Sequence, residues 1–253
     1  MSPLPLPEIE EQPRITAETP SYIVVDKPHN RHTAPLHAGE GGTLLEWCAQ
    51  TFPEVLAIGG RKALEGGLLH RLDYETAGLV LVARTQSAYD FLAAEQEAGR
   101  FEKEYTAVTR PMPEGACTVW NTEICPASLI SGVPIIPGMI GIIESSFRHY
   151  GPGRKCVKPE PCGSGRLQTE RRYVTRIVDR EEHGELVVFR VQLTQGFHHQ
   201  IRAHLAWVGY PINNDTRYGG ANTGGPLELI ADRLLFTDPE TGSTRVCVKR
   251  RGV

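Results

Sequence analysis

No two cysteines in this chain stand at C-x-x-C spacing; the six, Cys48, Cys117, Cys125, Cys156, Cys162 and Cys247, are scattered. That excludes a zinc knuckle or a dithiol redox motif built on close cysteine pairs. No apolar run approaches the length that spans a bilayer. Met1 to Pro13 is rich in Pro and Glu and has no apolar signal region, so a cytoplasmic protein with reduced thiols is expected. P-loop, G-x-G-x-x-G and H-E-x-x-H patterns are absent, as are internal repeats and low-complexity tracts. Net charge is also small, −3, with a pI near 6.3. Nucleic-acid-binding domains are often basic, so the total weighs against such a partner, but local patches matter more than the sum.

What is present is 253 residues with a hydrophobic fraction of 40%, enough for one large domain with a substantial core. The chain is organised around Leu68-Leu69-His70-Arg71-Leu72-Asp73-Tyr74-Glu75-Thr76-Ala77, followed by Gly78 to Ala83. Short apolar runs bounded by Gly and polar residues predict two buried strands with a polar turn between them. Arg71, Asp73 and Thr76 fall within that turn. A carboxylate carried on a turn between rigid strands is well placed for chemistry. The local pattern equally fits a tight turn in which Asp73 caps the backbone and Arg71 pairs with Glu75.

Residues 1–19 are expected as an extended arm, and 20–253 as one domain. Tyr22 to Lys27 predicts a strand stopped by Pro28. Thr43 can cap a helix bearing Leu44, Leu45, Trp47 and Cys48, ended by Phe52-Pro53. Thr85 or Ser87 can cap a second helix over Ala88 to Ala98, with Gly99 at its C-terminus. Phe101 to Thr109 alternates as a strand does, and Thr169 to Val178 with Leu186 to Leu193 suggests an antiparallel pair. Gln195 to Gly209 predicts a third helix ending at glycine. Residues 111–144 show no clear period.

Ser146 to Pro159 reads as a basic, Gly/Pro-rich loop. Arg148, Arg154, Lys155 and Lys158, with Arg166, Arg171 and Arg172 beyond, are candidates for phosphate contact, with Phe147, His149 and Tyr150 near for stacking. A solvated flexible loop fits the same composition. His198, His199 and His204 lack the three- or four-residue spacing of a helix-face metal pair, so no metal is expected, and His70 and His199 read as core histidines.

Three ordered segments carry a family resemblance. His70-Arg71-Leu72-Asp73-x-x-Thr76-x-Gly78-Leu79 resembles the signature of the RluA-like family of RNA pseudouridine synthases, with Ala77 where that family usually has Ser. Lys103-x-Tyr105-x-Ala107-x-Thr109 is similar to its K-x-Y-x-A-x-V strand. Gly196 with His199-Gln200-Ile201-Arg202-x-His204-Leu205 resembles its second signature, departing at Phe197 and His198, where the family has Arg and Thr. Gly209 to Asp215 and Leu229 to Pro239 follow in family order, with Ile230 where the closing strand usually has His. The likeness runs from about Tyr22 to Pro239.

The resemblance implies an α+β pseudouridine synthase fold: a mixed, mostly antiparallel sheet with flanking helices and a central RNA-binding cleft. It implies an isomerase that converts uridine in rRNA or tRNA to pseudouridine, with 20–253 as the catalytic domain and no separate N-terminal RNA-binding domain; an isomerisation needs no cofactor, and a monomer with no membrane partner is expected. Asp73 takes the catalytic place. Arg202 is implied as its cation across the cleft, where a planar fork could hold a carboxylate in two contacts. Tyr105 is implied against the uracil, Arg71 in the gap left by a flipped base, and Thr76 among the substrate-binding residues. Glu75, two residues on from Asp73, is expected at the surface or bonded to the turn. A catalytically inactive RNA-binding relative, or a carboxylate hydrolase using Asp73 and Glu75, are the competing readings; only isomerisation releases the hydrogen on uracil carbon 5.

Overall fold

The computed structural model describes residues 11–112, 141–162 and 171–249. Arg166, Cys117 and Cys125 lie outside the described residues, as does most of the 111–144 segment. No described helix is long and apolar enough to cross a membrane.

Among the described residues ten strands form one mixed sheet. They are β1 (Arg14–Glu18), β2 (Tyr22–Lys27), β3 (Ala77–Ala83), β4 (Glu102–Thr109), β5 (Gly141–Tyr150), β6 (Cys156–Glu160), β7 (Tyr173–His183), β8 (Leu186–Leu193), β9 (Leu229–Thr237) and β10 (Thr244–Val248). Their order is β1-β2-β3-β9-β4-β8-β7-β5-β6, with β10 added beside β9. Pairing is antiparallel everywhere except β3 with β9, which is parallel through Ala77↔Ile230 and Gly78↔Ala231. That parallel seam needs a glycine. Gly78 sits at φ +124°, and a Cβ there would meet the Ala231 carbonyl oxygen at 2.1 Å. Part of the expected arm, Arg14–Glu18, is thus an edge strand on β2.

Local chemistry explains the elements. In β2 and β3 every residue is buried, as expected for strands covered on both faces. Strand β4 alternates, with Lys103, Tyr105, Ala107 and Thr109 on its buried face. Helix α1 (Leu44–Thr51) starts where the Thr43 hydroxyl accepts from the Glu46 N–H at 3.2 Å. Helix α2 (Gln86–Glu97) starts in the same way at Thr85, which accepts from Ala88 N–H. A glycine, Gly184 at φ +64°, turns β7 into β8. Two apolar clusters result, one around Val25, Tyr105, Ile201 and Trp207, the other around Tyr22, Leu81, Leu92 and Phe236.

Three expectations need correction. Leu68 and Leu69 do not form a strand; Leu68 makes an isolated bridge to Val82, and only β3 of the expected pair is regular. The third helix, α3 (Gln200–Trp207), begins five residues later than Gln195 because His199 adopts left-handed φ 56°, which a continuous helix cannot accommodate. The basic stretch is an antiparallel hairpin, β5–β6, with its tip at residues 151–155. A strand is the natural outcome there, since Ile142, Ile143, Phe147 and Tyr150 are β-formers at a sheet edge.

Candidate active site

The central turn closes on itself before it meets anything else. The Thr76 N–H donates to the Asp73 carbonyl at 3.1 Å. Thr33 clamps the residue before Asp73, its hydroxyl bonded to both the carbonyl and the N–H of Leu72. Lys27, fully buried at the end of β2, donates from Nζ to the carbonyls of Pro28, Arg31 and Tyr74. Burial brings its pKa down to about 7. The turn bearing Asp73 is therefore fixed from three sides and opens on a cleft of about 1080 Å³.

Asp73 lines that cleft with its side chain 22% exposed. Burial, helped by the neighbouring carboxylates of Glu75 and Asp215, pushes its pKa up to about 6 against the pull of Arg202 and Lys27. Arg202 Nη1 stands 3.8 Å from Asp73 Oδ2. The expected two-contact fork belongs to another residue. Arg202 donates from Nε to Asp215 Oδ2 at 2.7 Å and from Nη2 to Asp215 Oδ1 at 2.9 Å. Its third nitrogen donates to Glu75 Oε2 at 3.2 Å. A guanidinium only 2% exposed needs full hydrogen-bonding, and Asp215, with no exposure at all, supplies it. Burial alone would lower the Arg202 pKa, but the bonds to Asp215 outweigh it and the group stays charged. Glu75 is correspondingly no surface residue; it bridges Arg202 and Arg217, the latter at 3.2 Å.

The other sequence candidates divide. Tyr105, 6% exposed on β4, lines the cleft, and burial raises its pKa, with Asp73 adding to the effect. Arg71 lines it too, 44% exposed and paired with Glu65 at 3.1 Å, not with Glu75. Thr76 also lines the cleft but is only 2% exposed, and its hydroxyl has no hydrogen-bond partner among the described residues. Of the basic hairpin, Lys155 reaches the cleft and Arg154 is exposed at the tip. Lys158 is no open phosphate contact, whereas Arg148 keeps 39% of its side chain exposed. They are cross-strand partners; Arg148 pairs with the buried Glu160, and Lys158 is itself buried. Basic side chains the spacing did not single out, Arg61, Lys62 and Arg217, join Lys155, Arg171 and Arg71 around the cleft. The cleft is thus basic although the chain as a whole carries −3.

The histidines are not all core residues. His204 is: its two ring nitrogens bond Ser145 and Thr175 in the interior. His199 bonds Tyr218 through Nδ1 at 3.0 Å but turns Nε2 toward Asp73 Oδ2 at 3.9 Å. Burial holds its pKa down to about 2, so it faces Asp73 as a neutral ring. The His198 ring lies tilted against that of His199, centroids 3.7 Å apart, and is open to the cleft. Asp73, His198 and His199 bring their ligating atoms within 4.8 Å of one another, a grouping that chain spacing concealed because it joins two segments. His70 accepts the Leu81 N–H at Nε2, but its buried Nδ1 has no partner among the described residues. Phe197, where a family arginine is replaced, packs face to face on Phe147 at 5.1 Å with Tyr173 beside it at 4.9 Å.

The basic cleft, with the turn-borne carboxylates of Asp73 and Glu75 on its wall, is carried by a mixed-sheet α+β fold. Human RNA pseudouridylate synthase domain containing 1 shares it, with a TM-score of 0.62 over 95% of this chain and 84% of that one at 20% identity. The human domain-containing-4 protein matches equally well, TM-score 0.62 over 93% of this chain and 87% of that one at 19% identity. The chain belongs to the RNA pseudouridylate synthase family, whose model matches residues 21–207. Similar curated proteins include ribosomal large subunit pseudouridine synthase D of Pseudomonas aeruginosa, 28% identical over 81% of this chain and 53% of its own length. An RNA pseudouridine synthase of Chloroflexus aurantiacus is 31% identical over 74% of this chain and 48% of its own. The chain spans little more than half the length of the curated relatives it matches.

Proposed function

We propose that this protein isomerises uridine in RNA to pseudouridine, with Asp73 as the attacking carboxylate. The observation that carries the reading is Asp73 itself: fixed on a turn, open to a basic cleft, beside an aromatic ring at Tyr105 and within 3.8 Å of a buried arginine. The reaction breaks the bond from ribose carbon 1 to uracil N1, turns the base, and joins carbon 5 to the same sugar carbon. A carboxylate serves this either as nucleophile or by stabilising positive charge on the sugar. With a pKa near 6 it is ionised at neutral pH. Tyr105 offers its ring to the uracil, and Arg71, half exposed, can exchange its surface pairing with Glu65 for the stack that the flipped base leaves. Ribosomal RNA is the favoured substrate because several relatives carry the large-subunit name. We place the enzyme in the cytoplasm, working as a monomer.

The test is incubation with RNA carrying tritium at uracil carbon 5. Isomerisation releases the label, whereas RNA binding alone and hydrolysis leave it in place. Release by the wild-type chain and none by Asp73→Asn, with RNA binding kept, is expected. Substantial release by Asp73→Asn would end the proposal.

A further inference from the structure

One buried cation of the cleft has no counter-charge among the described residues. Lys103 occupies a position on β4 where its neighbours across the sheet are Leu193 and Leu234. The apolar face of a strand calls for a hydrophobe there, yet the residue is a lysine, only 4% exposed. Among the described residues no carboxylate or carbonyl pairs with its ammonium; the Phe101 ring, 5.6 Å away, is its one favourable neighbour. Burial brings its pKa down to about 8, so it is still mostly protonated at neutral pH. The side chain lines the same cleft as Asp73 and points from the same strand face as Tyr105, two residues on. Buried charges are ordinarily paired, and a solitary one is tolerated where a ligand completes it.

We propose that Lys103 donates to a ring carbonyl oxygen of the bound uracil and holds the negative charge that develops there. The proposal rests on the isomerase reading above. When the bond between ribose carbon 1 and N1 breaks, its electron pair leaves with the base and spreads over the ring oxygens. A carbon–carbon bond to C5 then forms, the C5 proton leaves, and N1 gains a proton, so the product is an isomer. Lys103 keeps its protons throughout and supplies a fixed positive charge in a place nearly free of water, where such charges act most strongly on a transition state. A backbone phosphate is the weaker candidate for the same nitrogen. Phosphates are served by the exposed rim residues Arg61, Lys62 and Lys155, and need no buried group.

Lys103→Met and Lys103→Gln, made in the full chain, test this. Three quantities are measured: melting temperature, RNA affinity with its salt dependence, and the single-turnover rate of tritium release. Replacing an unpaired buried ammonium by methionine removes a desolvated charge, so the melting temperature should hold or rise. Affinity should stay within about threefold with an unchanged salt slope, since no phosphate contact is lost. The rate should fall by about 10²–10³-fold, as for loss of one oxyanion donor. Lys103→Gln, which keeps a neutral donor, should fall between. An unchanged rate overturns the role, as does a loss of stability that accounts for the lost activity. Weakened binding with a salt slope shallower by about one would assign the nitrogen to phosphate and overturn it as well. If the wild-type chain releases no tritium, the isomerase reading falls and this role with it. Release by the wild type and equal release by Lys103→Met removes this role alone.

Discussion

Arg202→Met removes the one guanidinium shared by three carboxylates, and its consequences follow from their distances. Asp215 loses two bonds, at 2.7 and 2.9 Å, and is left fully buried with an uncompensated charge. Breaking such a pair from one side costs about 3–5 kcal/mol. For a domain of this size, 1 kcal/mol moves the melting temperature by about 2–4 °C, so a drop on the order of 10 °C is expected. Asp73 loses a positive charge 3.8 Å away. At an effective dielectric constant of about 20 that interaction is worth about 4 kcal/mol, and one pKa unit is about 1.4 kcal/mol. Asp73 is partly open to solvent and Arg202 serves Glu75 and Asp215 too, so an upward shift of roughly one to two units is the expected share. The sign is fixed. Activity needs the ionised form, so the acid limb of the pH–rate profile, near pH 6 in the wild type, should move to higher pH. Glu75 and Asp215 act on Asp73 as neighbouring negative charges, so the limb also reflects their presence. Stopped-time tritium release from pH 5 to 9 measures it, and thermal melting gives the stability. Should Arg202→Met prove too unstable, Arg202→Lys keeps the charge but not the fork, and should shift the limb less while still lowering the melting temperature. Arg71→Met is the control, because Arg71 is 44% exposed and, among the described residues, is tied only to Glu65. It should cost less than about 1 kcal/mol in stability and leave the acid limb in place. Its deficit should be large on a uridine stacked in a hairpin and small on one in a flexible single strand. An acid limb that moves in Arg71→Met and stays fixed in Arg202→Met would refute the assignment of the two arginines.

Asp73→Asn should be more stable than the wild type at neutral pH. Asp73 has its pKa raised in the folded state from 3.8 to about 6, so the wild type loses stability as pH climbs through that window. The variant escapes that loss, a gain of about 1–3 kcal/mol at pH 8 that should vanish below pH 4; equal melting temperatures at pH 8 would contradict the raised pKa. Gly78→Ala should destabilise by at least about 2 kcal/mol, because a Cβ would meet the Ala231 carbonyl and φ there is +124°. A chemical denaturation midpoint unchanged by that substitution would show that the β3–β9 seam can open without cost.

Much of this protein is set by short-range pattern. Thr43 and Thr85 start helices because a hydroxyl three residues ahead of an N–H satisfies it wherever the chain lies. The alternation of β4 follows from a two-residue side-chain period, and the polar turn holding Arg71 and Asp73 stands out between apolar runs. Those features, with the ordered motifs, are enough to indicate the family and Asp73. Others were decided only when distant segments met. Arg202 needed a carboxylate fork, but the choice of Asp215 over Asp73 depends on how the chain after α3 returns beneath it. Lys158 lost its reach to solvent because β5 and β6 paired, which also placed Glu160 beside the part-exposed Arg148. His199 left the helix through one left-handed residue and turned toward Asp73, a conformation that no helical pattern encodes. Lys103 shows the limit most clearly. Its place on an alternating strand was legible, but its burial with no carboxylate partner among the described residues is a property of the surrounding sheet, because charge compensation depends on which residues tertiary packing brings within a few ångströms.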